Sequence, residues 1–370
     1  MTFTPRVTGE ARYSSNVNQS SQNPLWDVIL STRLQLIGDW PVTRFNTLDF
    51  SLGAGYERYL RNPELNSSRL STSIVPDLDI EFSIRVTDYI RIQVREQLEL
   101  KQDPTDAVGV DDSGNFVFDA LQYNRLDNTV SATTYWDVNS RTVTQVGLRR
   151  NDIYPLDDLF ETTRRIQETM DWLLQRQMGT RFSGGLSAAY TRSRYRQGLL
   201  NDGNSTSAGV FMNSQITPRI NLLSRVSHSW QSFSAGGEIE DSSQPRNLLW
   251  SMQLRHTPEP RLTYTATVAR STQFGFTANT TVLDNYGLAF VWTGFRLGDV
   301  RLSGNHTRGR DSGGVLAERY TRNSIRADFA MEIGANAGLS LRYQFSTKDS
   351  NRDDRDYDQH IFGASVFYQF

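Results

Sequence analysis

Charged or polar side chains occupy nearly every second position of the stretch "PDLDIEFSIRVTDYIRIQVREQLELK", which covers residues 76–101. The part before the turn-like segment 86–89 carries carboxylates, and the part after it carries mostly cations: Asp77, Asp79, Glu81, Arg91, Arg95 and Glu99. At this spacing they can form ion pairs across a β-hairpin or attract charged solutes along a water-filled passage. A hairpin centred on residues 87–88 would place Asp79 opposite Arg95 and Ser83 opposite Arg91.

Further charged residues fall on the same polar face of other candidate strands: Arg33, Arg165, Asp171, Arg181, Arg219, Arg225, Arg255, Arg261, Arg301, Arg326, Asp328, Glu332 and Arg342. One interpretation is a pore wall of mixed charge that selects anionic or hydrated polar solutes. The other is a set of cross-strand ion pairs that satisfies a wet interior. The sequence leaves both interpretations open.

Catalytic and metal-binding patterns are missing from the sequence. It has no P-loop, GxSxG or HExxH motif, and it has no cysteine. The segment 349–360 begins like a calcium loop, but Asp354 stands where that loop needs glycine and His360 where it needs glutamate. Ser224 and His228 would lie about 13 Å apart on one strand, too far for a direct dyad. We therefore predict no enzyme activity, no metal site and no cofactor.

The elements that would position the charged residues are strands, because apolar and polar residues alternate with a period of two nearly everywhere. We predict about 18 strands, near residues 3–13, 25–37, 47–60, 69–85, 90–101, 119–138, 141–150, 163–177, 181–195, 205–217, 219–232, 246–257, 261–270, 284–294, 299–308, 322–333, 339–347 and 359–370. Short turns alternate with longer loops, the longest near 102–118, 151–162, 233–245 and 348–358. Outer-membrane barrels have short periplasmic turns, longer outer loops and an even strand number.

Aromatic residues favour a membrane barrel over a secreted β-sandwich array or solenoid, which is the alternative. Many of them fall near strand ends on the apolar face, as at two membrane interfaces: Trp26, Trp136, Trp230, Trp250, Trp292, Tyr286 and Tyr368. The same face carries all four histidines and several arginines, among them Arg192, Arg194, Arg270 and Arg308, which could meet lipid phosphates at the outer rim. Trp40 is predicted to lie in a turn.

The fold class is thus all-β: one antiparallel up-and-down transmembrane barrel over residues 1–370, without a plug domain and with both termini periplasmic. The expected location is the bacterial outer membrane, with a signal peptide already removed, because "MTFTPRVTGE" has no apolar core. The chain ends on alternating apolar residues, Val366, Tyr368 and Phe370, which resemble the C-terminal signal read by the barrel-assembly machinery. Ser365 replaces the glycine usual in that signal.

The stretch from Phe50 to Asp106 resembles the β-barrel porins of Gram-negative bacteria that often accompany exopolysaccharide export. The resemblance is clearest in this stretch and extends over most of the chain. It implies a passage through the outer membrane, with small polar solutes or an acidic polysaccharide as its cargo. The nearly balanced charge, 39 basic against 41 acidic residues, argues against nucleic acid as a partner. The lipid bilayer and lipopolysaccharide are the expected surroundings.

Two functions stay open from the sequence. The first is an open pore for polar or anionic solutes. The second is a structural barrel with an occluded lumen that holds a surface or periplasmic partner, and segments 102–118 and 151–162 are the candidates for folding inward. Polar breaks on the apolar face could mark a homo-oligomer or larger envelope complex, a lipid contact or an error of register: Glu96, Asn128, Glu168 and Arg176.

Overall fold

The computed structural model describes residues 1–63, 74–101, 108–110, 116–118, 125–156, 161, 164–196, 200–237, 241–275, 278–295, 298–314 and 317–370. Its strands are β1 Thr2–Ser14, β2 Asp27–Pro41, β3 Thr47–Tyr59, β4 Ile74–Arg85, β5 Ile90–Lys101, β6 Val108–Val110, β7 Phe116–Phe118, β8 Arg125–Asn139, β9 Thr142–Pro155, β10 Arg165–Gln177, β11 Phe182–Tyr195, β12 Gly203–Thr217, β13 Ile220–Phe233, β14 Arg246–Glu259, β15 Leu262–Phe274, β16 Thr280–Phe295, β17 Gly298–Asp311, β18 Arg319–Ile333, β19 Ala337–Ser350 and β20 Tyr357–Gln369. One short 3-10 segment, Asp353–Arg355, precedes β20.

Eighteen of these strands form one closed antiparallel barrel, which confirms the predicted fold. Each barrel strand pairs with the next barrel strand in the chain, and β5 pairs directly with β8 because β6 and β7 form a separate hairpin. The ring is closed by β1 and β20, in a register that sets Val7 against Tyr368. Closure leaves no strand edge unpaired.

The two faces of the wall follow from the alternation of side chains. Leu34 is 60% exposed and lies beside Val7 and Ala54 in one outward row. The residues between those positions point inward and are mostly polar or small. Buried apolar side chains such as Ile29 and Leu283 lie on the inward face near the loop end of the barrel. The outward face, not the interior, therefore carries most of the large apolar surface.

The four polar breaks lie on the outward face, because Glu96 pairs with Ile80 and Val130, Asn128 with Leu98, and Glu168 with Arg192. An error of register is thereby excluded as their explanation. Arg176 lies on the same face near the turn end of β10.

Several strand limits differ from the prediction. β9 extends to Pro155 and β19 to Ser350, so the loops that follow are 156–164 and 351–356, shorter than expected. The connections 15–26 and 60–73 are both longer than 351–356. Trp40 lies within β2, beside Leu48 of β3, and the turn prediction for it was wrong. The alternating pattern continues to Pro41, which is why this strand is longer than predicted.

Within the described ranges we find no helix that is long and apolar enough to cross a membrane.

Candidate functional site

The inward face of the barrel collects most of the charged residues singled out from the sequence. Pairing and alternation place the following on it: Arg33, Asp77, Asp79, Glu81, Arg91, Arg95, Glu99, Arg165, Asp171, Arg225, Arg255, Arg301, Arg326, Asp328, Glu332 and Arg342. Arg181, Arg219 and Arg261 instead lie in exposed turns just before their strands. Their assignment to strands was wrong, because the predicted strands 181–195, 219–232 and 261–270 start one residue later in the structure, at Phe182, Ile220 and Leu262.

The inward face of β2 to β5 is an acidic wall. Asp39, Asp49 and Glu81 form one cross-strand row. The predicted hairpin register is wrong by two residues, because Arg95 is directly opposite Glu81 and not Asp79. Arg95 nevertheless reaches Asp79 diagonally with two hydrogen bonds, of 2.8 and 2.7 Å. Ion pairs therefore neutralise part of the negative charge of the acidic wall. This agrees with the interpretation in which the charged residues form cross-strand ion pairs.

Asp77 is a second paired carboxylate of the acidic wall. It accepts a hydrogen bond of 2.7 Å from Gln35, and the guanidinium of Arg33 lies 3.4 Å away. Gln93 donates at 3.2 Å to Glu81 in the same way. These contacts hold the acidic side chains against the wall, so that water and solute meet a fixed pattern of charge.

A group of arginines lies around one carboxylate on the inward face of β17 to β19. Asp328 accepts hydrogen bonds from Nε of Arg326 at 2.7 Å and from Nε of Arg342 at 3.3 Å. Arg301 is its direct partner on β17. Two guanidinium groups thus bond to a single carboxylate and a third arginine lies directly opposite it, and all three arginines are at least partly exposed. The excess of positive charge makes this basic cluster (Arg301, Arg326, Arg342 and Asp328) the best candidate site for an anionic group.

A neutral wall separates the two charged regions. Within the described parts of β11 to β16, the only charged residues on the inward face are Arg225 and Arg255. Serine, threonine, asparagine and glutamine dominate the remainder, and some bond to one another, as Ser205 does to Ser229 at 3.3 Å. In the order of strands around the ring, this wall lies across from the acidic wall. Its hydroxyl and amide groups can bind neutral or hydroxylated parts of a solute.

Arg165 connects two distant parts of the barrel mouth. It is 6% exposed, and its Nη1 donates to Tyr195 Oη at 3.0 Å, to the carbonyl of Phe274 at 3.1 Å and to that of Gly275 at 3.2 Å. The end of β15, five strands away around the ring, therefore extends inward over the lumen. Arg165 serves this contact and is not an open lining residue.

Asp241 joins four outer loops into one cluster. Its carboxylate accepts hydrogen bonds from the main-chain N–H of Asn279 at 2.8 Å and from the hydroxyl of Ser312 at 2.6 Å. Its carbonyl accepts one from Asn201 at 3.1 Å. Burial alone would raise the pKa of Asp241, but hydrogen bonds from Ser243, Ser312 and Asn279 outweigh it and lower the pKa below its ordinary value. The ionised side chain of Asp241 therefore joins the loops after β13, β15 and β17, and its carbonyl group adds the loop after β11.

Replacing Asp241 with alanine should loosen this cluster, because each hydrogen bond to a charged group contributes about 1.5–3 kcal/mol. We expect faster proteolysis within 234–245 of the folded barrel at pH 7, with Ser242→Ala as the exposed control in the same loop. A depressed pKa means that the packing is complete at neutral pH and is lost only as the pH falls below about 4. Wild-type loops that loosen already at pH 6 would contradict this assignment.

Several inward-facing residues were not identified from the sequence. Arg12 of β1 lies 3.7 Å from Glu57 of β3, and Arg125 is buried beside Asp127 at 3.1 Å. Polar and apolar residues alternate in these strands too, but the predicted strand limits were too uncertain to assign the charged residues to the inward face. The constriction predicted at 102–118 lies mostly outside the described residues. Within the described ranges no three histidine, aspartate or glutamate side chains group to hold a metal ion.

Among known proteins, this chain is similar to solved structures, and that similarity concerns its fold. The sequence matches no protein-family model and no curated protein. Solved structures do match over the full chain. OccK2 (OpdF) of Pseudomonas aeruginosa, solved with glucuronate, has 10% identity and a TM-score of 0.58, covering 100% of this chain and 98% of that one.

Two further crystal structures have a similar fold. OccAB2 of Acinetobacter baumannii has 11% identity and a TM-score of 0.57, covering 100% of this chain and 98% of that one. OpdK of Pseudomonas aeruginosa with vanillate has 8% identity and a TM-score of 0.56, with 100% and 99% covered. OpdK is described as an outer-membrane protein. At these identities the likeness shows the fold alone, and none of these structures concerns polysaccharide export.

Proposed function

We propose that this chain is an outer-membrane channel that passes small polar solutes by diffusion and favours those that carry a carboxylate. The observation that carries the proposal is the polarity of the wall: an 18-strand closed barrel with an apolar outward face and a charged, hydroxyl-rich inward face. Barrels of 16 to 18 strands are wide enough for an aqueous channel. A polar interior of that width is stable only when it contains water.

The outward face fits a bilayer in height as well as in polarity. On β1, the exposed rings of Phe3 and Tyr13 are ten residues apart, about 33 Å along the strand. With a strand tilt near 40°, their separation along the barrel axis is about 25 Å, the height of the apolar band of outer-membrane barrels. Tyr368 and Phe370 continue the aromatic row at the turn end. We propose that they also form the signal for the barrel-assembly machinery.

The basic cluster supports a preference for carboxylated solutes. Its three arginines exceed its one carboxylate, and a planar guanidinium matches a carboxylate with two parallel hydrogen bonds. Structures of the same fold were solved with vanillate and with glucuronate, and both of these molecules are small carboxylates. The neutral wall could then bind the hydroxyl groups that such solutes carry.

Small solutes are favoured over a polysaccharide because loops narrow the mouth. The contact of Arg165 with Gly275 and the loop cluster at Asp241 both extend over the loop end of the lumen. Passage of an acidic polysaccharide, which the sequence resemblance implies, would require these contacts to open. The same contacts favour the second candidate function, a docking barrel with an occluded lumen.

Single-channel recording in planar bilayers distinguishes the two functions. We expect steady current steps that are reduced when glucuronate is added, because a bound carboxylate would occupy the lumen. The salt-gradient reversal potential measures the ion preference directly. A silent chain that still shows the heat-modifiable migration of a folded barrel would contradict the channel and support the docking function.

A further inference from the structure

An arginine cluster lies on the outward face, at the loop end of β17 and β18. Arg310 and Arg319 are direct cross-strand partners. Arg308 precedes Arg310 by two residues on the same face, a spacing of about 7 Å along a strand. All three side chains are exposed. Three guanidinium groups therefore share one small area of the surface that faces away from the lumen.

The described structure supplies little negative charge to this cluster. Two carboxylates of the outward face lie nearby. Asp284 is engaged by Arg270 through hydrogen bonds of 2.6 and 2.8 Å, and Asp349, opposite Thr321, forms no ion pair with the three arginines within the described residues. Among the described residues, the hydrogen bond of the Arg308 guanidinium is the one that its Nε donates to Nε2 of His306 at 3.2 Å. Within the described residues, the guanidinium groups of Arg310 and Arg319 form no ion pair or hydrogen bond. Like charges directly opposite each other destabilise a sheet, so this arrangement calls for an external anion.

Some other arginines of the outward face are neutralised by carboxylates of the protein. Arg150 pairs with Asp152 at 3.2 Å, and Arg194 pairs with Glu168 at 2.9 Å. These pairs also lie at the loop end of their strands. The cluster on β17 and β18 differs from these pairs because it places three arginines side by side, and no carboxylate of the described residues is hydrogen-bonded to any of them.

The height of the cluster indicates the source of the anion. Tyr286 and His306 are cross-strand partners with ring centroids 5.8 Å apart, and Arg308 lies two residues beyond them toward the loops. Exposed tyrosine is typical of the membrane–water interface. A side chain just beyond that level lies among lipid headgroups, and the longer loops mark this side as the outer leaflet.

We infer that Arg308, Arg310 and Arg319 bind a phosphate group of the outer-leaflet lipopolysaccharide. The inference rests on the outer-membrane location in the proposed function. Phosphate oxygens would accept charge-assisted hydrogen bonds from three converging guanidinium groups and relieve their mutual repulsion. The site is separate from the basic cluster of the lumen, because it lies on the other face of the same strands.

Lipid binding to the folded, detergent-purified chain tests this directly. Native mass spectrometry would follow titrations with bis-phosphorylated lipid A, with dephosphorylated lipid A and with inorganic phosphate. The variant Arg308→Gln/Arg310→Gln/Arg319→Gln should bind lipid A at least about tenfold more weakly than the wild type, given the strength of charge-assisted bonds. Dephosphorylated lipid A should bind both chains equally weakly.

A variant with the same loss of charge provides the control. Arg58→Gln/Arg141→Gln/Arg176→Gln removes three exposed arginines that are dispersed over the surface, and it should bind lipid A like the wild type. Equal binding by the two triple variants would overturn the inference. Inorganic phosphate that displaces lipid A at similar concentrations would also overturn it, by indicating a free-anion site.

Current recordings on the same preparations separate this inference from the proposed function. A chain that conducts while its arginine-cluster variant binds lipid A normally would contradict the lipid site only. A silent chain that loses lipid A with the cluster would support the lipid site and contradict the channel.

Discussion

Replacing Glu318 with glutamine should lower the free energy of unfolding by about 3–5 kcal/mol, the usual cost of leaving a buried charge without its partner. Glu318 and Lys348 are only 5% and 4% exposed. One carboxylate oxygen lies 2.5 Å from Lys348 Nζ and accepts from Ser350 at 2.8 Å, and the other accepts from Arg355 at 2.9 Å. Without the carboxylate, two cations would face each other inside the barrel mouth.

A double-mutant cycle isolates the pair. Lys348→Met should cost less than Glu318→Gln, because Arg355 still balances the carboxylate. The double variant should be more stable than Glu318→Gln alone. Urea titration of the barrel in liposomes, followed by tryptophan fluorescence, gives these values, and Glu332→Gln is an exposed control in β18. Stability of Glu318→Gln within about 1 kcal/mol of the wild type would mean that water already compensates this site.

The acid dependence of stability follows from the same carboxylate. Burial by itself would raise the pKa of Glu318, but Lys348, Ser350 and Arg355 lower it below the ordinary value. A group with a depressed pKa stabilises fully above its unfolded pKa and loses that contribution as the pH falls through the folded pKa. The difference between the wild type and Glu318→Gln should therefore be constant at neutral pH and shrink only below about pH 4.3.

The barrel itself was predictable from the sequence because it depends mainly on the alternation of polar and apolar residues along each strand, which is a local property. A strand has a period of two, so the face of a residue such as Asp79 or Arg326 follows from counting. Register is less local, and the hairpin around Arg95 shows the limit: its face was right, but its direct partner was wrong by two residues. A shift of two keeps every side chain on its face, so the pattern cannot detect it.

The packing of the loops could not be predicted, because it joins residues far apart in sequence. Arg165 was identified as a pore-lining charge, yet it binds carbonyl groups at 274–275, which no periodicity connects with it. Asp241 lies in the predicted loop 233–245, where alternation does not distinguish it from other polar residues. Both are determined by how the loops fold over the ring, which depends on tertiary contacts rather than on alternation.

Removing the basic cluster should shift the ion preference of the proposed channel toward cations. A unit charge about 8 Å from the path of an ion contributes about 0.5 kcal/mol in water, and screening at 0.1 M salt reduces three such charges to about 0.7 kcal/mol. The variant Arg301→Gln/Arg326→Gln/Arg342→Gln should therefore change the partition of each ion about threefold. Because anion and cation change in opposite directions, the permeability ratio should shift about tenfold, and more at 0.01 M salt.

The turn arginines provide a control with the same loss of charge. Arg181, Arg219 and Arg261 are exposed at the turn end, where mobile ions screen them, so their triple glutamine variant should move the reversal potential far less. Inhibition of the current by glucuronate should weaken only in the cluster variant, because only that variant loses the guanidinium groups around Asp328. Equal shifts in both variants would mean that selectivity comes from total charge. A shift confined to the cluster variant would identify Arg301, Arg326 and Arg342 as the groups that select the solute.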